Sequence, residues 1–217
     1  MRPANVNTKE YWDLRFGSGD WEERLGREQT RLFALAQVSR VGIDAAFAGV
    51  LVDFGCGLGD AMLVYRQGFP QAKLVGIDFS EAAIEKAQSS FGSIASFLHG
   101  DHSKVPTADI IVSSNVFEHL SNPLEIARDL AARCRKLVVA VPFREHIDPG
   151  TEHINSYDVF SFAEIGNREY EVYNVPGWSE GSIELWRDVY LKNIGRLFLG
   201  RRLRRRRRQI VFRISRS

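Results

Sequence analysis

The feature that most constrains the fold of this chain is a short apolar run followed by alternating glycines. Residues 50–54 read Val-Leu-Val-Asp-Phe, and glycines follow at positions 55, 57 and 59. Because glycine has no Cβ, such a loop can turn sharply and approach a ligand closely. A second apolar run ends at Asp78, 19 residues after Gly59. This spacing predicts a strand, loop, helix and second strand of a parallel sheet, with a ligand at the loop.

Apolar runs of strand length alternate with helical periodicity over most of the chain. Such alternation predicts an α/β fold with a doubly wound, Rossmann-like sheet of seven mostly parallel strands. We predict strands at 50–54, 73–77, 94–98, 108–113, 136–141, 169–175 and 209–214. We predict helices at 59–68, 80–91, 121–134, 156–165 and 181–199, and an N-terminal helical cap over about 8–40.

The length of the chain favours a single domain. A chain of 217 residues with 44% hydrophobic content can form one core of ordinary size. Residues 1–217 are expected to form one domain, with a helical cap at 1–45 and a ligand-binding core at 46–142. Residues 143–217 would then contain a loop, a helical insert at 176–207 and the last strands.

The glycine spacing excludes two common classes of nucleotide site. The chain reads G-x-G-x-G from Gly55, whereas dinucleotide-binding loops read G-x-G-x-x-G, and it has no G-x-x-x-x-G-K-[ST] phosphate loop. Asp60 follows the last glycine, and a carboxylate at a helix N-terminus opposes a phosphate there. A cationic or zwitterionic ligand stays compatible with it. Asp78 lies near the offset at which an acid binds ribose hydroxyls, which indicates a nucleoside.

Polar residues also follow the third and fourth predicted strands. Gly100-Asp101 comes after the third strand, and a run from Asn115 to Leu120 that contains Glu118 and His119 comes after the fourth. The carboxyl ends of parallel strands meet at one edge of a sheet. We therefore expect these residues to lie beside the glycine loop.

Taken together, Asp53-x-Gly55-x-Gly57-x-Gly59, Asp78, Asp101 and the run from Asn115 to Leu120 resemble one family. It is that of the class I S-adenosylmethionine-dependent methyltransferases, in particular the ubiquinone-biosynthesis-type, small-molecule branch with a Glu-His-Leu turn after strand four. The resemblance spans roughly residues 50–142. It implies S-adenosylmethionine as the cofactor, an antiparallel last strand, and an N-terminal cap that lies over the cofactor.

The resemblance also implies roles for individual residues. Gly55 to Gly57 would contact the methionine part of the cofactor, Asp78 the ribose, Asp101 the adenine amine and Asn115 the sulfonium side. The expected cofactor-binding residues are Asp53, Gly55, Cys56, Gly57, Asp78, Phe79, Asp101, His102 and Asn115. For Asp53, an alternative is a structural role in which it accepts hydrogen bonds from the glycine-loop amides.

The catalytic residues are less constrained than the cofactor site. A hydroxyl or amine acceptor benefits from a general base, which is most often histidine. Of the five histidines, we select His153 and His119 as catalytic candidates because each follows a strand at the ligand edge. Glu118 and His119 can equally serve to start a helix or to hold a hydrogen-bond partner. Glu145, His146, Glu152 and His153 match no metal-binding spacing, so no metal is expected.

The residues after strand four also bear on the acceptor. Ser113-Ser114-Asn115-Val116 stands where many amino-methyltransferases have N/D-P-P-Y/F. This departure weakens an assignment as an amino-methyltransferase of adenine or of protein glutamine, and it leaves O-methylation open. We expect O-methylation of a small-molecule, sugar or lipid-linked acceptor, with N-methylation favoured less. An RNA methyltransferase and a cofactor-binding, non-catalytic subunit stay open as alternatives.

Charge is distributed unevenly along the chain. Residues 201–217 contain nine arginines and no acid, and seven of these arginines lie in Arg201–Arg208, whereas residues 1–200 have a net charge of −7. A solvated basic helix end is the simplest interpretation. Apolar residues at 191, 194 and 197–199 precede the run, so peripheral contact with an anionic membrane is a second hypothesis. Nucleic acid is favoured less because the rest of the chain is acidic.

The compartment is expected to be the cytoplasm. Cys56 and Cys134 form no C-x-x-C pair, which indicates a reducing environment. The first ten residues have no apolar signal core, and no window reaches the roughly 18 apolar residues that a membrane span requires.

Overall fold

The computed structural model is built around one seven-stranded sheet and describes residues 6–147, 152–179, 182–184, 186–201, 203 and 207–216. The strands are β1 (Val50–Phe54), β2 (Lys73–Asp78), β3 (Ser96–His99), β4 (Ala108–Ser114), β5 (Cys134–Pro142), β6 (Asn167–Asn174), β7 (Gly177–Ser179), β8 (Ser182–Glu184) and β9 (Arg208–Ser215). The helices are α1 (Lys9–Gly17), α2 (Asp20–Glu23), α3 (Gly26–Val38), α4 (Ala61–Gly68), α5 (Glu81–Phe91), α6 (Pro123–Ala132) and α7 (Trp186–Phe198). Short 3₁₀ turns span His102–Lys104 and Phe117–His119.

The strand order is β3-β2-β1-β4-β5-β9-β6. Strands β1 to β5 pair in parallel, and β9 runs antiparallel between β5 and β6. The central strands are apolar on both faces, as a parallel sheet covered by helices on both sides requires. The predicted doubly wound sheet with an antiparallel last strand is confirmed.

Two apolar cores cover the two faces of the sheet. Successive residues of a strand point to opposite faces, so Leu51 and Val52 enter different cores. Tyr65 of α4 packs in the core with Leu51, and Leu130 of α6 packs in the core with Val52. All four of these side chains are fully buried, so both helix layers are anchored to β1.

The N-terminal helices are held against the carboxyl edge of the sheet. Ser80 caps α5 by accepting a hydrogen bond from the Ala83 amide, and its hydroxyl donates to Asp13 of α1 at 2.6 Å. Trp12 and Phe16 of α1 are buried against Leu58 of the glycine loop. The predicted cap therefore reaches the loop that follows β1.

The predicted helix at 156–165 is wrong. Residues 159–164 form turns within an otherwise irregular segment, although Tyr157, Phe162 and Ile165 are buried at a spacing that imitates a helix. The Asp158 side chain accepts a hydrogen bond from the Phe160 amide at 2.9 Å, which favours a turn over a helix. These apolar side chains pack into the core from an irregular loop and not from a helix.

The predicted helix at 181–199 is also too long. Strands β7 and β8 form an antiparallel hairpin, and α7 begins only at Trp186. The other helices and strands differ from prediction by a few residues at their ends. In the described part of the chain, no helix is long and apolar enough to cross a membrane.

Some predictions fall on parts of the chain that the structure does not describe. Residues 202 and 204–206 of the basic segment Arg201–Arg208 lie outside the described residues. Residues 1–5 of the cap and 148–151 of the loop after β5 also lie outside them.

Candidate functional site

A cavity of about 1090 Å³ lies at the carboxyl ends of β1, β2 and β4. The glycine loop and Asp78 form part of its wall, and Trp12, Phe16 and Trp21 of the N-terminal cap line it as well. The loop after β5 lines it through residues 143–145 and 152–153. A cavity at this edge of an open α/β sheet is the usual place for a ligand.

The glycine loop is fixed by β2 and not by Asp53. The amides of Gly55 and Cys56 donate to the carbonyl of Ile77 at 2.8 and 3.1 Å, and the Gly57 amide donates to Asp78 Oδ2 at 2.9 Å. These bonds correct the expectation that Asp53 accepts them. The end of the neighbouring strand, and not Asp53, therefore holds the loop.

Gly55 has a φ of +78°, and a Cβ at this residue would lie 2.3 Å from Cγ2 of Val116. We expect Gly55→Ala to lower the free energy of unfolding by about 2–4 kcal/mol, through left-handed backbone strain and overpacking. Gly19 is a matched control, because its φ is +90° and nothing lies within 4 Å of its Cβ position. In urea denaturation, Gly19→Ala should lose only the strain term, and Val116→Ala should rescue Gly55→Ala in part.

Asp53 and Asp78 place two acids beneath the loop. Burial raises the pKa of Asp53 to about 7, with a smaller contribution from the charge of Asp78. Burial also raises the pKa of Asp78 to about 6, although the amides of Ser80 and Gly57 hydrogen bond to it. A cationic ligand would favour the ionised form of both acids, because it replaces the lost hydration.

Asp60 is a buried anion that belongs to the cap interface. Its carboxylate is 1% exposed and lies 3.1 Å from Arg27 Nε and 2.7 Å from Arg31 Nη2. Both arginines are in α3. Asp60 therefore ties α3 to the start of α4, and it makes no side-chain cap to that helix.

Asp101 and His102 lie at the end of the cavity near β3. The amide and hydroxyl of Ser103 both donate to Asp101 Oδ1, at 2.9 and 2.6 Å, and these bonds lower the pKa of the carboxyl. His102 lies 3.5 Å from Asp129. Phe79 follows Asp78 and also lines the cavity. The ionised Asp101 can accept a hydrogen bond from the amine of a nucleobase. The ring of Phe79 can pack against the face of that nucleobase.

Asn115 is fixed at the centre of a polar network. It has a φ of +55°, a conformation that asparagine tolerates better than most residues. Its Oδ1 accepts a hydrogen bond from Gln209 Nε2 at 2.7 Å, and its Nδ2 donates to Ser114 Oγ at 3.1 Å. Gln37 of α3 donates to the same Ser114 hydroxyl, and the hydroxyl of Tyr173 donates to Gln209. The network joins the cap to β4, β6 and β9.

His119 and His153 lie next to each other in the wall of the cavity, with ring centroids 4.8 Å apart. His119 Nδ1 lies 3.0 Å from the carbonyl oxygen of Glu152, and burial lowers the pKa of His119 to about 3. His153 Nδ1 lies 2.5 Å from Glu145 Oε2. Burial lowers the pKa of His153, but the hydrogen bond with Glu145 and the charge of Glu118 outweigh it and raise the pKa overall.

Glu118 lies beneath the two histidines and is fully buried. Among the described residues, neither of its carboxylate oxygens has a hydrogen-bond partner, and burial raises its pKa to about 8. A ring nitrogen of His119, a ring nitrogen of His153 and a carboxylate oxygen of Glu118 all lie within 4.8 Å of one another. These three residue types can hold a metal ion.

The raised pKa of Glu118 predicts a pH-dependent stability. A carboxyl whose folded pKa is raised stabilises the fold at low pH, and this contribution is lost as the pH rises to about 8. Between pH 6.5 and 8, we expect the unfolding free energy to fall by about 1.4 kcal/mol per pH unit more in the parent than in Glu118→Gln. Urea titrations in EDTA-containing buffer measure this difference, and the exposed Glu125→Gln variant should follow the parent.

The sequence-predicted residues all line this one cavity. They are Asp53, Gly55, Cys56, Gly57, Asp78, Phe79, Asp101, His102, Asn115, His119 and His153. The roles of Gln37 and Gln209 were not predicted from the sequence, and neither was the full burial of Glu118. The buried polar character of Gln37 and Gln209 had no signal in the sequence, since they lie 172 residues apart.

This strand order, with a glycine loop after β1 and acids after β2 and β3, defines the class I methyltransferase fold. Three solved structures share it. YcgJ from Bacillus subtilis has a TM-score of 0.61 and 15% identity, with 85% of this chain and 98% of that chain covered. The plantazolicin methyltransferase BpumL, solved with SAH, has a TM-score of 0.61 and 17% identity, with 97% and 96% covered. A Haloferax volcanii protein solved with a methyltransferase activator has a TM-score of 0.69 and 16% identity, with 95% and 98% covered.

Sequence comparison identifies the core more closely. Residues 52–138 match the model of a family described as a methyltransferase domain. A malonyl-(acyl-carrier protein) O-methyltransferase from Halalkalibacterium halodurans is 32% identical over 89 residues, which are 37% of this chain and 33% of that enzyme. The chain thus spans about a third of the length of the curated relative it matches. Residues 52–138 are thus similar to a methyltransferase domain, and the fold is that of the class I S-adenosylmethionine-dependent methyltransferases.

Proposed function

We propose that this protein transfers a methyl group from S-adenosylmethionine to an oxygen atom of a small-molecule, sugar or lipid-linked acceptor. The observation on which the proposal rests is the position of His119 and His153. They line the same cavity as the glycine loop, so an acceptor oxygen beside them would share that cavity with a cofactor bound at the loop.

The residues of the cavity suit this cofactor. S-adenosylmethionine is cationic at sulfur, and Asp53, Asp78 and Asp101 supply negative charge along the wall next to the loop. We assign Asp78 to the ribose hydroxyls, Asp101 to the adenine amine, and Asn115 to the sulfonium side. When bound, the cofactor supplies a methyl group that is already activated for displacement, so the protein contributes mainly position and charge.

The histidines offer a proton acceptor on the acceptor side. A carbonyl oxygen can only accept a hydrogen bond, so His119 donates from Nδ1 to Glu152, and as a neutral ring it keeps a lone pair on Nε2. Glu145 orients the His153 ring in the way a carboxylate orients the histidine of a catalytic triad. His153, when its ring is neutral, is therefore the stronger proton acceptor as the oxygen attacks the methyl group, whereas the low pKa of His119 makes that ring a weak base.

The relatives support a small or carrier-bound acceptor. One is named as a malonyl-(acyl-carrier protein) O-methyltransferase, and BpumL as a plantazolicin methyltransferase. The first name describes a malonyl group on a carrier protein as the methyl acceptor. The large cavity of this protein would accept a group of that size beside the cofactor.

The test is detection of the product. The protein is incubated with S-adenosylmethionine labelled in the methyl group and with a cell extract, and the extract is separated into lipid, small-molecule and RNA fractions for mass spectrometry. We expect a labelled small molecule or lipid that is absent when Asp78→Ala replaces the parent. Label in RNA would favour the alternative of an RNA methyltransferase. No labelled product from a protein that binds the cofactor would favour a non-catalytic subunit.

A lipid-linked acceptor has its own support in α7. Its outer face is apolar, with Leu191 68%, Leu197 69% and Phe198 86% exposed. The arginine-rich segment Arg201–Arg208 follows directly, and Tyr190, Arg207 and Arg208 line the cavity. An apolar helix face beside a dense positive charge matches the surface of an anionic bilayer. Such contact would bring the cavity next to lipid.

Membrane contact can be tested by sedimentation with vesicles. We expect binding to phosphatidylglycerol vesicles and not to phosphatidylcholine vesicles, and a loss of this binding in the double variant Leu197→Ser and Phe198→Ser. The variant Leu14→Ser is a matched control because Leu14 is 71% exposed on a different helix, α1. Equal sedimentation of the parent and the double variant would contradict the assignment of this face.

A further inference from the structure

Glu118 is a buried acid whose carboxylate receives no hydrogen bond within the described part of the chain. It is 0% exposed, and neither carboxylate oxygen has a hydrogen-bond partner there. Burial of an acid without hydrogen bonds is unfavourable, and proteins keep such groups mainly where a ligand completes them. Glu118 lines the functional cavity, so a cation in that cavity can reach it.

The two histidines next to Glu118 offer the complementary ligand type. Ligand atoms of Glu118, His119 and His153 lie within 4.8 Å of one another. Atoms bound to one ion at about 2.1 Å lie at most about 4.2 Å apart, so a small closure of the side chains would complete the geometry. Two imidazoles and one carboxylate favour a transition-metal dication over Mg²⁺ or Ca²⁺.

Both histidines also have the outer partners that metal-bound histidines need. His119 is oriented by the Glu152 carbonyl at 3.0 Å, and His153 by the Glu145 carboxylate at 2.5 Å. Such partners fix the ring and raise its basicity as a ligand. Glu152 is itself held by side-chain contacts from Tyr11 and Arg15 of α1. The outer shell therefore connects this cluster to the N-terminal cap.

We infer that Glu118, His119 and His153 form a binding site for a divalent transition-metal ion of the Zn²⁺ type. Three protein ligands leave one position open, as in catalytic zinc sites. The inference deepens the proposed function, because an acceptor oxygen in that position would be polarised by the ion and would release its proton to solvent water more easily. In the metal-loaded protein, both histidines would bind the ion through their lone pairs, so the ion and not a histidine would activate the acceptor oxygen.

Metal binding can be measured without an acceptor. The full chain is treated with chelator, dialysed and titrated with Zn²⁺ by calorimetry, and Co²⁺ is added as a spectroscopic probe of the ligands. We expect one ion per chain, a visible Co²⁺ absorption band typical of nitrogen and oxygen ligands, and much weaker binding of Mg²⁺.

Variants distinguish this site from adventitious binding. Glu118→Gln keeps the size of the side chain, and we expect it to weaken Zn²⁺ binding, as should His119→Ala and His153→Ala. Glu145→Gln, which acts through His153, should weaken it by about 10- to 100-fold. His146→Ala is the control, since it removes an exposed histidine of the same loop.

The outcomes separate this inference from the proposed function. If the parent binds no Zn²⁺, or if folded Glu118→Gln and His119→Ala bind it as the parent does, the metal site is overturned. Methyl transfer by the chelator-treated protein would then still support the proposed function. Circular dichroism of each variant identifies any loss of binding that is due to unfolding.

Discussion

Replacement of Asp78 by alanine is expected to weaken the binding of S-adenosylmethionine by about 100-fold or more, because two hydrogen bonds from ribose hydroxyls to a charged acceptor contribute about 3 kcal/mol. The same carboxylate accepts hydrogen bonds from the amides of Gly57 and Ser80 at 2.9 Å. The variant therefore removes a ligand contact and a support of the glycine loop together. Calorimetric titration with the cofactor measures the change.

Asp78→Asn separates the charge from the shape. The pKa of Asp78 is raised to about 6, so cofactor affinity in the parent should fall as the pH drops below 6 and the carboxylate is protonated. The asparagine variant should bind weakly at every pH and lose this component of the pH dependence. His99→Ala, at the exposed end of β3, serves as the control for substitutions near this edge. Unchanged cofactor affinity in both Asp78 variants would remove Asp78 from the site.

His153→Ala is expected to lower kcat for methyl transfer by about 10²- to 10⁴-fold and to leave the affinity for S-adenosylmethionine unchanged. His153 lies on the loop after β5, opposite His119, and the cofactor loop follows β1. The substitution thus acts on the acceptor side alone. Steady-state rates with the acceptor found by mass spectrometry, together with cofactor titrations, measure the two effects separately.

Glu145→Gln provides a graded companion to this variant. It keeps the size of the side chain that contacts His153 Nδ1 but removes its charge, so we expect a smaller loss of kcat and a shift of the pH profile. His146→Ala should behave as the parent does. If His153→Ala kept the full rate, general base catalysis by His153 would be ruled out.

The sequence was most informative where local chemistry and topology agree. The strand-forming runs at 50–54 and 73–77, the alternating glycines and the acids at 78 and 101 each follow from local pattern. Parallel pairing then brings all strand ends to one edge, which is why every predicted cofactor residue lines one cavity. The parallel pairing of the strands thus predicted that residues far apart in the sequence lie close together in the fold.

The errors arose where the local pattern has two solutions. Tyr157, Phe162 and Ile165 have helix-like spacing, but the side chains of Asp158 and Ser161 hydrogen bond within the segment and favour turns. The assignment of the loop amides to Asp53 failed for a different reason. The Ile77 carbonyl and Asp78 compete for the same amides, and only the pairing of β1 with β2 decides between them.

The acceptor side could be predicted only in part. His119 and His153 were selected by their positions after strands, but the buried carboxylate of Glu118 beneath them depends on how the 3₁₀ turn Phe117–His119 packs. The contact of Gln37 with Ser114 and Gln209 depends on how α3 docks over the sheet edge. Such contacts arise from tertiary packing, for which the sequence contains no local signal.

The most direct test of the account is a calorimetric titration of the protein with S-adenosylhomocysteine, the demethylated form of the cofactor. It requires no acceptor and no metal. We expect saturable binding of one molecule per chain, and a loss of that binding in the Asp78→Ala variant. A folded parent protein that binds neither S-adenosylhomocysteine nor S-adenosylmethionine would contradict the assignment of the cavity to this cofactor.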